Sequence, residues 1–547
     1  MVAAENGALK GAKVGGMADV IRDLPHALAG VEIQADVIMP SYGFLTGLGA
    51  KLIHEFEVSF AGRQEPIKLY WLTHPKVQGA NIYLLEHGLW QSSPGQIYSQ
   101  GTSDRPFADD ATKFALLCAS VAKALVAGLV PMPQLLHLHD WHTGCLAMLR
   151  ALAPEYQALQ SIECVFSIHN LALQGIRPLS HDTSSFAAWF PQLFAQLDEG
   201  QRAQIIDPRY PHCINPMRMG ITLADKVHLV SPTYAKEVLF PSRPELGFFG
   251  GEGLEADLQR KAEQGRVLGI LNGCEYPEAL AQSSLERMGL TEFKALLSCI
   301  ESALVQWLGG RTRVSGVDMI AFTRLQALWR QASVGEYPDF LLTSVGRLTD
   351  QKVLILRHIL PSGLSVLETL LQQLQQLQQL QQLQQLQQLQ QLPQTQPKAL
   401  FVLLGSGDPE IGQFFQTLAA KYAHFVFLQG YHEELSQCLY QLGDLFLMPS
   451  SFEPCGISQM LAMRSGQPCL VHGVGGLRDT VEDNVDGFVF YGEDIKAQGE
   501  ALLAKLADAL ETFGAGDWMQ FKRNAKARRF DWRSIALEYN KQLYNIL

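Results

Sequence analysis

Short apolar segments alternate with helical segments along the first half of the chain, and this alternation restricts the fold more than any other feature. The segment 35–39 (Ala-Asp-Val-Ile-Met) is typical of a buried strand, and residues 110–128 are typical of a helix. The strands predicted in this half are 35–39, 134–139, 163–168 and 226–230. Apolar strands that alternate with helices form parallel sheets with helices on both faces. The sequence therefore predicts an α/β domain with a doubly wound parallel sheet.

The same alternation returns after residue 340. The strands predicted there are 341–345, 400–404, 425–428 and 445–448. Two such series predict two doubly wound domains with a junction near residues 272–285, and a chain of 547 residues is long enough for both. We therefore assign residues 1–275 to the first domain and residues 276–529 to the second.

The composition excludes two broad classes of protein. Hydrophobic residues make up 47% of the chain and charged residues 18%, a balance that excludes global disorder. The 43 lysines and arginines are outnumbered by 54 aspartates and glutamates, so the net charge is −11. An acidic chain lacks the basic face that broad binding to a nucleic-acid backbone needs.

Cysteine usage and the apolar segments predict a cytoplasmic protein that does not span a membrane. The nine cysteines are scattered without a Cys-X-X-Cys pair, which is typical of reduced thiols rather than of a disulfide scaffold or a zinc module. The first residues lack the basic and apolar regions of a secretory signal. The longest apolar stretch, 115–130, contains Lys123 and stops at Pro131, so it predicts a buried core helix.

A run of Leu-Gln-Gln units occupies residues 371–392. Both residue types favour helix, but a period of 3 on a helix of 3.6 residues per turn rotates each leucine by about 60° from the last. No single face of such a helix is apolar, and the heptad of a coiled coil is absent. We interpret the run as a low-complexity insertion in a surface connection, with a partner-binding helix as the alternative. Deleting residues 371–392 is then expected to leave activity near the wild-type level.

A glycine-rich loop near the N-terminus is the first candidate for ligand binding. The sequence there is Lys-Val-Gly-Gly-Met-Ala-Asp-Val, starting at Lys13. Gly15 and Gly16 allow backbone amides to approach an anion, the following helix points its N-terminus at it, and Lys13 adds a positive charge. A plain turn is the alternative interpretation.

Histidines at the ends of two predicted strands form the second candidate. His137 and His139 share one face of a strand that runs on into Asp-Trp-His. A metal site is conceivable, but two such histidines more often pack or line a cleft. His169 and Asn170 follow the next strand, where they could bind a polyhydroxylated ligand or simply stabilise the strand end.

The second half of the chain carries further candidates at strand ends, where open α/β sheets bind their ligands. Arg347 and Lys352 could converge on a diphosphate, or belong to an ordinary solvated helix start. The turn around Gly407 lacks the third glycine of a dinucleotide fingerprint, so it is weak support for NAD. In the Pro-Ser-Ser-Phe-Glu-Pro-Cys-Gly segment, Gly456 could hold a phosphate and Glu453 could bind sugar hydroxyls.

Taken together, these segments resemble the bacterial glycogen synthase and plant starch synthase family. The stretches that carry the resemblance are 13–20, 139–142, 169–172, 224–235, 270–273, 346–352, 405–408, 449–456 and 475–481. They occur in the family's order and extend over nearly the whole chain, so the resemblance is specific.

The resemblance implies a fold and a reaction. The fold is α/β, with two Rossmann-like doubly wound domains facing a deep interdomain cleft (the GT-B architecture), and residues 530–547 form a helix that crosses back to the N-terminal domain. The reaction transfers glucose from ADP-glucose to the non-reducing end of an α-1,4-glucan such as glycogen, with retention of configuration. Neither a metal nor another cofactor is implied, and no nucleic-acid or membrane partner.

The resemblance also implies roles for individual residues. The positive charges of Lys13, Arg347 and Lys352 would neutralise the departing diphosphate. The residues implied as catalytic are His169, Arg347, Lys352 and Glu453. Those implied in donor binding are Lys13, Gly15, Gly16, Asp19, Asn272, Gly407, Cys455, Gly456 and Ser458. Those implied to line the acceptor side of the cleft are His139, Asp140, Trp141 and Asn170.

The chain departs from the family pattern at two places. The family's opening strand usually begins several residues before the equivalent of Val2, so we expect this chain to begin inside that strand. Leu461 stands where related retaining transferases often carry a second glutamate, although some starch synthases share this lack. Three alternatives stay open: a transferase using UDP-glucose or another nucleotide sugar, a phosphorylase of similar architecture that needs pyridoxal phosphate, and a catalytically impaired glucan-binding homologue.

Overall fold

The chain forms two compact units. The computed structural model describes residues 1–99, 105, 107–277, 285–310, 313–375 and 399–546. The first unit consists of Met1–Ser242, Phe249–Glu275 and Phe530–Leu547, and the second consists of Arg243–Phe248 and Tyr276–Arg529. The C-terminal segment is therefore part of the first unit.

Parallel strands form the centre of the first unit. Its strands in the described part of the chain are β1 (Val37–Pro40), β2 (Lys51–Phe60), β3 (Arg63–Thr73), β4 (Asn81–Glu86), β5 (Leu135–His139), β6 (Glu163–Ile168), β7 (Arg177–Pro178), β8 (Cys213–Ile214), β9 (Lys226–Leu229) and β10 (Val267–Gly269). One row has the order β10-β9-β6-β5 and the other β1-β4-β3-β2. Val2 forms parallel bridges to both Leu138 and Ile38, and so joins the two rows. The four strands predicted in this half are confirmed.

An antiparallel hairpin extends this sheet, and the sequence pattern did not predict it. Strand β2 pairs antiparallel with β3, and β3 pairs antiparallel with β4. Ala61 and Gly62 connect β2 to β3 with φ angles of 52° and 75°. Two successive positive φ values are typical of a type I′ hairpin turn, which Asn-Gly or Asp-Gly usually announces. The pair Ala-Gly does not carry that signal.

Helices cover the first unit. They are Gly16–Ala29, Ala108–Val126, Gly144–Leu152, Phe186–Trp189, Pro191–Gln196, Glu199–Ala203, Pro216–Leu223, Pro232–Glu237, Glu255–Glu263 and Trp532–Glu538, followed by a π-helical turn at Tyr539–Tyr544. The apolar stretch at 115–130 lies mostly in the buried helix Ala108–Val126, as predicted. Val20 and Leu24 of the first helix pack with Ile535 and Tyr539 of the C-terminal segment in one core cluster. Within the described residues, no helix is long and apolar enough to cross a membrane.

The second unit is built on one parallel sheet. Its described strands are β11 (Phe340–Leu348), β12 (Ala399–Gly407), β13 (Phe425–Gln429), β14 (Leu445–Met448), β15 (Cys469–His472) and β16 (Gly487–Phe490). They lie in the order β13-β12-β11-β14-β15-β16, and all neighbours are parallel. The strand order reverses between β11 and β14, which is the switch point where such sheets bind ligands. The four strands predicted in this half are confirmed.

Helices lie on both faces of that sheet. They are Leu290–Gly309, Gly316–Ser333, Asp350–Arg357, 366–375, Pro409–Lys421, Glu433–Leu442, Ser458–Arg464, Gly475–Thr480, Ile495–Ala515 and Trp518–Ala527. Successive side chains of a strand point to opposite faces, so Leu341 and Leu342 enter two different core clusters. Both clusters are apolar, which explains why β11 begins with the continuous hydrophobic run Phe-Leu-Leu.

The beginning of the Leu-Gln-Gln run is not a surface connection. The helix 366–375 places Leu371 and Leu374 in the core of the second unit, where both are fully buried. His424 Nε2 also donates to the carbonyl of Leu371 at 2.9 Å. The expectation for the whole run is therefore wrong for its first residues, because a deletion starting at 371 removes two core side chains. Residues 376–392 lie outside the described residues.

Candidate active site

The residues singled out in the sequence follow strands in both units. In the first unit they lie in the Lys13 loop and at or just after the ends of β5, β6 and β10, and in the second they lie at or just after the ends of β11, β12 and β14. Backbone groups and side chains at the carboxyl ends of parallel strands share one edge of a sheet.

An internal carboxylate occupies the glycine-rich loop. Glu5 Oε2 accepts hydrogen bonds from the backbone N–H groups of Val14 and Gly15 at 2.8 and 2.7 Å. The hydroxyl of Tyr98 donates to the other oxygen at 2.8 Å. The amides that the sequence analysis assigned to an anion thus meet the anion Glu5. Gly15 precedes the first turn of the helix Gly16–Ala29, as expected.

Lys13 and Asp19 form an ion pair in that loop. Lys13 Nζ lies 2.8 Å from Asp19 Oδ1, and Arg22 Nη1 lies 2.8 Å from the same oxygen. The Lys13 side chain is 43% exposed, so its ammonium group stays accessible to a ligand. Arg22 also pairs with Asp23 through its Nε at 2.6 Å, so the charges of this cluster balance and the exposed ammonium group of Lys13 is the part that a ligand can reach.

Asp140 holds a strained backbone and organises the next strand end. Its φ and ψ are 57° and 179°, a region that non-glycine residues rarely adopt. Its Oδ1 accepts from the backbone N–H of His169 at 2.7 Å and of Asn170 at 3.4 Å. Burial raises the pKa of Asp140 to about 7, because the charged form loses its hydration. Asp140 thus combines a strained backbone with a buried carboxyl group, next to residues that the resemblance implies in binding. Proteins tend to keep energetically unfavourable features of this kind at functional sites.

His139 and His169 contact each other next to Asp140. His139 Nδ1 lies 3.0 Å from His169 Nε2, and the two rings stack with centroids 5.3 Å apart. Burial holds the pKa of His139 well below its usual value and lowers that of His169 to about 3. Both rings are therefore neutral at physiological pH. His139 Nε2 is buried with no hydrogen-bond partner among the described residues.

Trp141, Asn170 and Asn272 are the other residues of this unit that the resemblance implied. The Trp141 ring packs against Phe107 and Phe114, and Gly175 (φ 66°) leaves it room, since a Cβ there would lie 2.1 Å from the indole. Asn170 Oδ1 accepts from the Ala172 N–H at 3.0 Å, which caps the turn. Asn272 is buried, and its Oδ1 has no partner in the described part of the chain. A buried acceptor without a partner suits a donor group of a ligand.

In the second unit, Lys352 and Glu453 form an ion pair beside Arg347. Lys352 Nζ contacts Glu453 Oε2, and the Ser450 hydroxyl donates to the same oxygen at 3.1 Å. Glu453 is only 6% exposed, whereas Arg347 lies exposed near the end of β11 and makes no ion pair with any described residue. Gln351 helps to hold the segment, since its Nε2 donates to Phe452 O at 2.9 Å. The structure thus brings two predicted catalytic residues into contact.

Close backbone approaches shape the turns around Glu453. Gly456 and Gly407 have φ angles of 76° and 150°. A Cβ on Gly475 would lie 1.9 Å from Glu453 O, and one on Gly476 would lie 2.1 Å from Cys455 O. The segments around residues 455 and 475 can touch only because these positions are glycines. Cys455 is buried, and Ser458 accepts from the Tyr440 hydroxyl at 3.2 Å.

No group of three or more His, Cys, Asp or Glu side chains in the described residues is arranged to hold a metal ion. The cationic and hydrogen-bonding groups found here are suited instead to a phosphorylated, polyhydroxylated ligand.

Sequence reasoning missed three side chains of these two sets. Glu5 and Tyr98 support the Lys13 loop, and Ser450 supports Glu453. Ser450 lies inside a motif that was recognised, so its proximity to Glu453 was a usable signal. Glu5 and Tyr98 are 93 residues apart, and nothing local in the sequence connects them.

Two family models match the chain. The starch synthase catalytic domain matches residues 1–260, and glycosyl transferases group 1 matches residues 373–528. A glycogen synthase of Gloeobacter violaceus is 31% identical over 547 residues, covering 96% of this chain and 94% of that protein. A glycogen synthase of Hydrogenovibrio crunogenus is 28% identical over 542 residues, covering 96% of each.

A solved structure shares the fold. The catalytic domain of starch synthase IV from Arabidopsis thaliana, bound to ADP and acarbose, matches with a TM-score of 0.71 at 24% identity. The match covers 100% of this chain and 98% of that one. It shows that the chain has two Rossmann-like domains of the GT-B architecture, which confirms the predicted fold class.

Proposed function

Because the chain belongs to the glycogen and starch synthase family of glycosyltransferases, we propose that it transfers glucose from ADP-glucose to the non-reducing end of an α-1,4-glucan with retention of configuration. The observation that carries this proposal is the Lys352–Glu453 pair beside the exposed Arg347. It supplies two cations for a diphosphate and one buried carboxylate for a sugar. The ADP bound to the structurally similar starch synthase IV supports adenine as the base of the donor.

Stabilisation of the leaving group is the main task of the cations. The bond from the glucose carbon to the diphosphate breaks with negative charge developing on the diphosphate oxygens. Arg347 and Lys352, with Lys13 from the first unit, neutralise that charge, and fixed charges of this kind lower the barrier more than solvent does. Lys352 has three N–H donors, so it can keep its contact to Glu453 while it binds a phosphate oxygen.

Glu453 orients the donor glucose. Its Oε2 is engaged by Lys352 and Ser450, which leaves Oε1 as an acceptor for sugar hydroxyls. The glycines at 456 and 475 allow this segment to pack closely against its neighbours, and the backbone near Cys455, Gly456 and Ser458 is proposed to bind the phosphates. Gly407 permits the similar close approach after β12.

In the first unit, His169 is proposed to lie beside the donor glucose. Its ring is neutral, so it donates or accepts a hydrogen bond without adding charge at the reacting carbon. Asp140 fixes the backbone of His169 and Asn170, and Asn272 and Asp19 add acceptors for the donor. His139 and Trp141 are proposed to line the acceptor side. Exclusion of water when both substrates are bound would favour transfer over hydrolysis.

The decisive experiment measures nucleoside diphosphate released by the purified protein with glycogen, using ADP-glucose and UDP-glucose in parallel. We expect glycogen-dependent release from ADP-glucose. Glu453→Ala and Lys13→Ala should lower kcat by about 100-fold and about 10-fold or more, because each removes an electrostatic contact to the donor. The anomeric configuration of the new linkage, read by NMR, tests retention.

Matched controls separate these effects from general damage. Lys123→Ala removes an exposed lysine of the same unit as Lys13, and Glu368→Ala breaks the Lys421–Glu368 ion pair in the same unit as Glu453. Both should retain near wild-type kcat. Release from UDP-glucose alone would contradict the proposed donor. Normal glycogen affinity without release from either donor would favour an impaired glucan-binding homologue.

A further inference from the structure

A row of hydrogen-bonded side chains crosses the sheet of the first unit beneath the His139–His169 pair. The Tyr544 hydroxyl lies 2.8 Å from His137 Nδ1, and His137 Nε2 lies 2.6 Å from Ser167 Oγ. Ser167 Oγ lies 2.7 Å from His228 Nδ1, and His228 Nε2 lies 3.1 Å from the carbonyl of Ile270. We call these four side chains the relay.

The relay has only one consistent direction. The carbonyl of Ile270 accepts only, so His228 carries its proton on Nε2 and its Nδ1 is an acceptor. Ser167 must then donate to His228, and its oxygen accepts from His137 Nε2. His137 Nδ1 is left bare and accepts from Tyr544. One backbone carbonyl therefore determines the tautomers of two histidines.

Water does not compete with these bonds. Tyr544, His137, Ser167 and His228 are between 0% and 3% exposed. Burial also keeps the pKa of His137 well below its usual value and lowers that of His228 to about 4, so both rings stay neutral. Burying a polar group costs free energy unless the group is hydrogen-bonded, and each of these four side chains is hydrogen-bonded.

One end of the relay and its two inner side chains adjoin proposed site residues. Ile270 precedes Asn272 by two residues, and Ser167 precedes His169 by two. The His137 ring lies 4.1 Å, centroid to centroid, from that of His139, which contacts His169. A shift of the His137 ring would therefore move the ring on which His169 rests.

The C-terminal segment supplies Tyr544, the member of the relay that is most distant in sequence from the others. Lys226 of β9 donates to the carbonyl of Leu543 at 2.7 Å and so holds the backbone next to Tyr544. The Tyr539 ring packs edge-on against His228 with centroids 4.9 Å apart. Tyr544 thus reaches His137 from a segment held by at least two independent contacts.

We propose that Tyr544, His137, Ser167 and His228 are positioning residues for glucosyl transfer, through which the C-terminal segment fixes the His139–His169 pair and the backbone before Asn272. This inference rests on the proposed function, since it assigns the relay to that reaction. The relay touches no substrate; it acts through His139, His169 and Asn272. Apolar side chains could fill the same space but would not fix the orientation of their neighbours. The directional hydrogen bonds of the relay do, and this is the reason we give for its polar residues.

Kinetics of hydroxyl-deletion variants test the proposal. Tyr544→Phe and Ser167→Ala each remove one oxygen of the relay, and Tyr156→Phe removes the hydroxyl of another buried tyrosine of the same unit, outside the relay. We expect kcat to fall about three- to tenfold in the first two, with KM for the nucleotide sugar within about twofold of wild type. Thermal midpoints ensure that all assays run on folded protein.

The double variant is the sharpest arm. If both hydroxyls act through one relay, Tyr544→Phe adds no further loss to Ser167→Ala. Multiplicative losses in kcat would overturn the relay as a unit. A wild-type kcat in folded Tyr544→Phe protein, or an equal loss in Tyr156→Phe, would also overturn the proposal.

A spectroscopic arm is independent of activity. The ¹⁵N ring shifts of His137 and His228, assigned from single variants, should show protonated Nε2 and bare Nδ1 in both. The opposite tautomer in either ring would overturn the relay even in an active enzyme. If wild-type protein releases no nucleoside diphosphate while the tautomers are as expected, the proposed function fails and the relay geometry stands.

Discussion

The two units carry different kinds of side chain at the ends of their strands. In the first unit, the residues after β5 and β6 are buried neutral histidines and a carboxyl whose pKa burial raises to about 7. In the second, the residues after β11 and β14 are the charged pair Lys352–Glu453 and the exposed Arg347. The first unit positions uncharged hydrogen-bonding groups, and the second supplies charge.

This difference follows from where each group obtains its stability. A neutral ring can be fully buried if its two nitrogens find partners, so the first unit needs a network of precise contacts. A charge cannot be buried alone at acceptable cost, so the second unit keeps Arg347 in solvent and pairs the buried Glu453 with Lys352. The first arrangement depends on a network of hydrogen bonds, and the second depends on one ion pair between residues 101 positions apart and on the glycine turns around it.

Acid unfolding should distinguish the units most strongly. In the described residues, burial lowers the histidine pKa in the first unit at His74, His137, His139, His142, His169 and His228, and in the second at His424 and His472. The unfolded chain then binds more protons below the usual value of 6.5, so stability falls as pH drops from there. At about pH 5 each fully buried histidine costs about 2 kcal/mol of unfolding free energy.

Carboxyls with raised pKa values act in the opposite direction. Asp140, raised to about 7, and Asp444, raised to about 6, keep a proton when folded and gain stability as pH falls. The net loss is therefore larger in the first unit. Hydrogen exchange should show β5, β6 and β9 losing more protection than β11, β12 and β14 when the pH is lowered from about 7.5 to about 5. Equal losses in both units would contradict the comparison.

Removing one charge should damage activity in the second unit more than stability. Lys352→Ala is expected to lower kcat by about 100- to 1000-fold, because a fixed cation on the leaving group is lost. It also leaves Glu453 with Ser450 as its remaining side-chain contact among the described residues, so thermal unfolding should be measured alongside. Lys421→Ala, which breaks an ion pair of the same unit at 2.5 Å, is the control and should retain activity. Comparable losses in the two variants would show that charge placement is not what matters.

The smallest expected effect tests the carboxylate under the glycine-rich loop. Glu5→Gln keeps the shape of the side chain but removes the negative charge that receives the Val14 and Gly15 amides. We expect a loss of about 1–3 kcal/mol in the free energy of unfolding, measured by denaturant titration. Glu32→Gln makes the same chemical change at an exposed position of the same unit and serves as the control. No change in Glu5→Gln would mean that the loop is held by other contacts.

Local pattern accounts for the features that the sequence predicted well. Buried parallel strands are short apolar runs, so β5, β6, β11 and β14 were recognisable without any partner. The glycine turns were recognisable because a positive φ or a close backbone approach restricts the residue type at that position. The hairpin of β2 and β3 was missed, because the Ala-Gly turn lacks the usual residues.

The start of the Leu-Gln-Gln run shows the limit of such reasoning. Its period argues against a single apolar face over the whole run, yet Leu371 and Leu374 lie in the core. A helix that enters a domain buries whichever side chains face it, so the first turns of a repeat can differ from the rest. Periodicity alone does not tell where the core ends.

By itself, the sequence determined the α/β class, four parallel strands in each half of the chain, the order of the motifs and the residues that carry positive charge. Only the tertiary structure decided which of them are partners: Glu5 with the loop amides, Lys352 with Glu453, and Tyr544 with His137 across 407 residues. Strand and turn propensities act over a few neighbours in the chain. A buried hydrogen bond instead takes its partner from whatever packing brings within about 3 Å, and that is a property of the folded molecule.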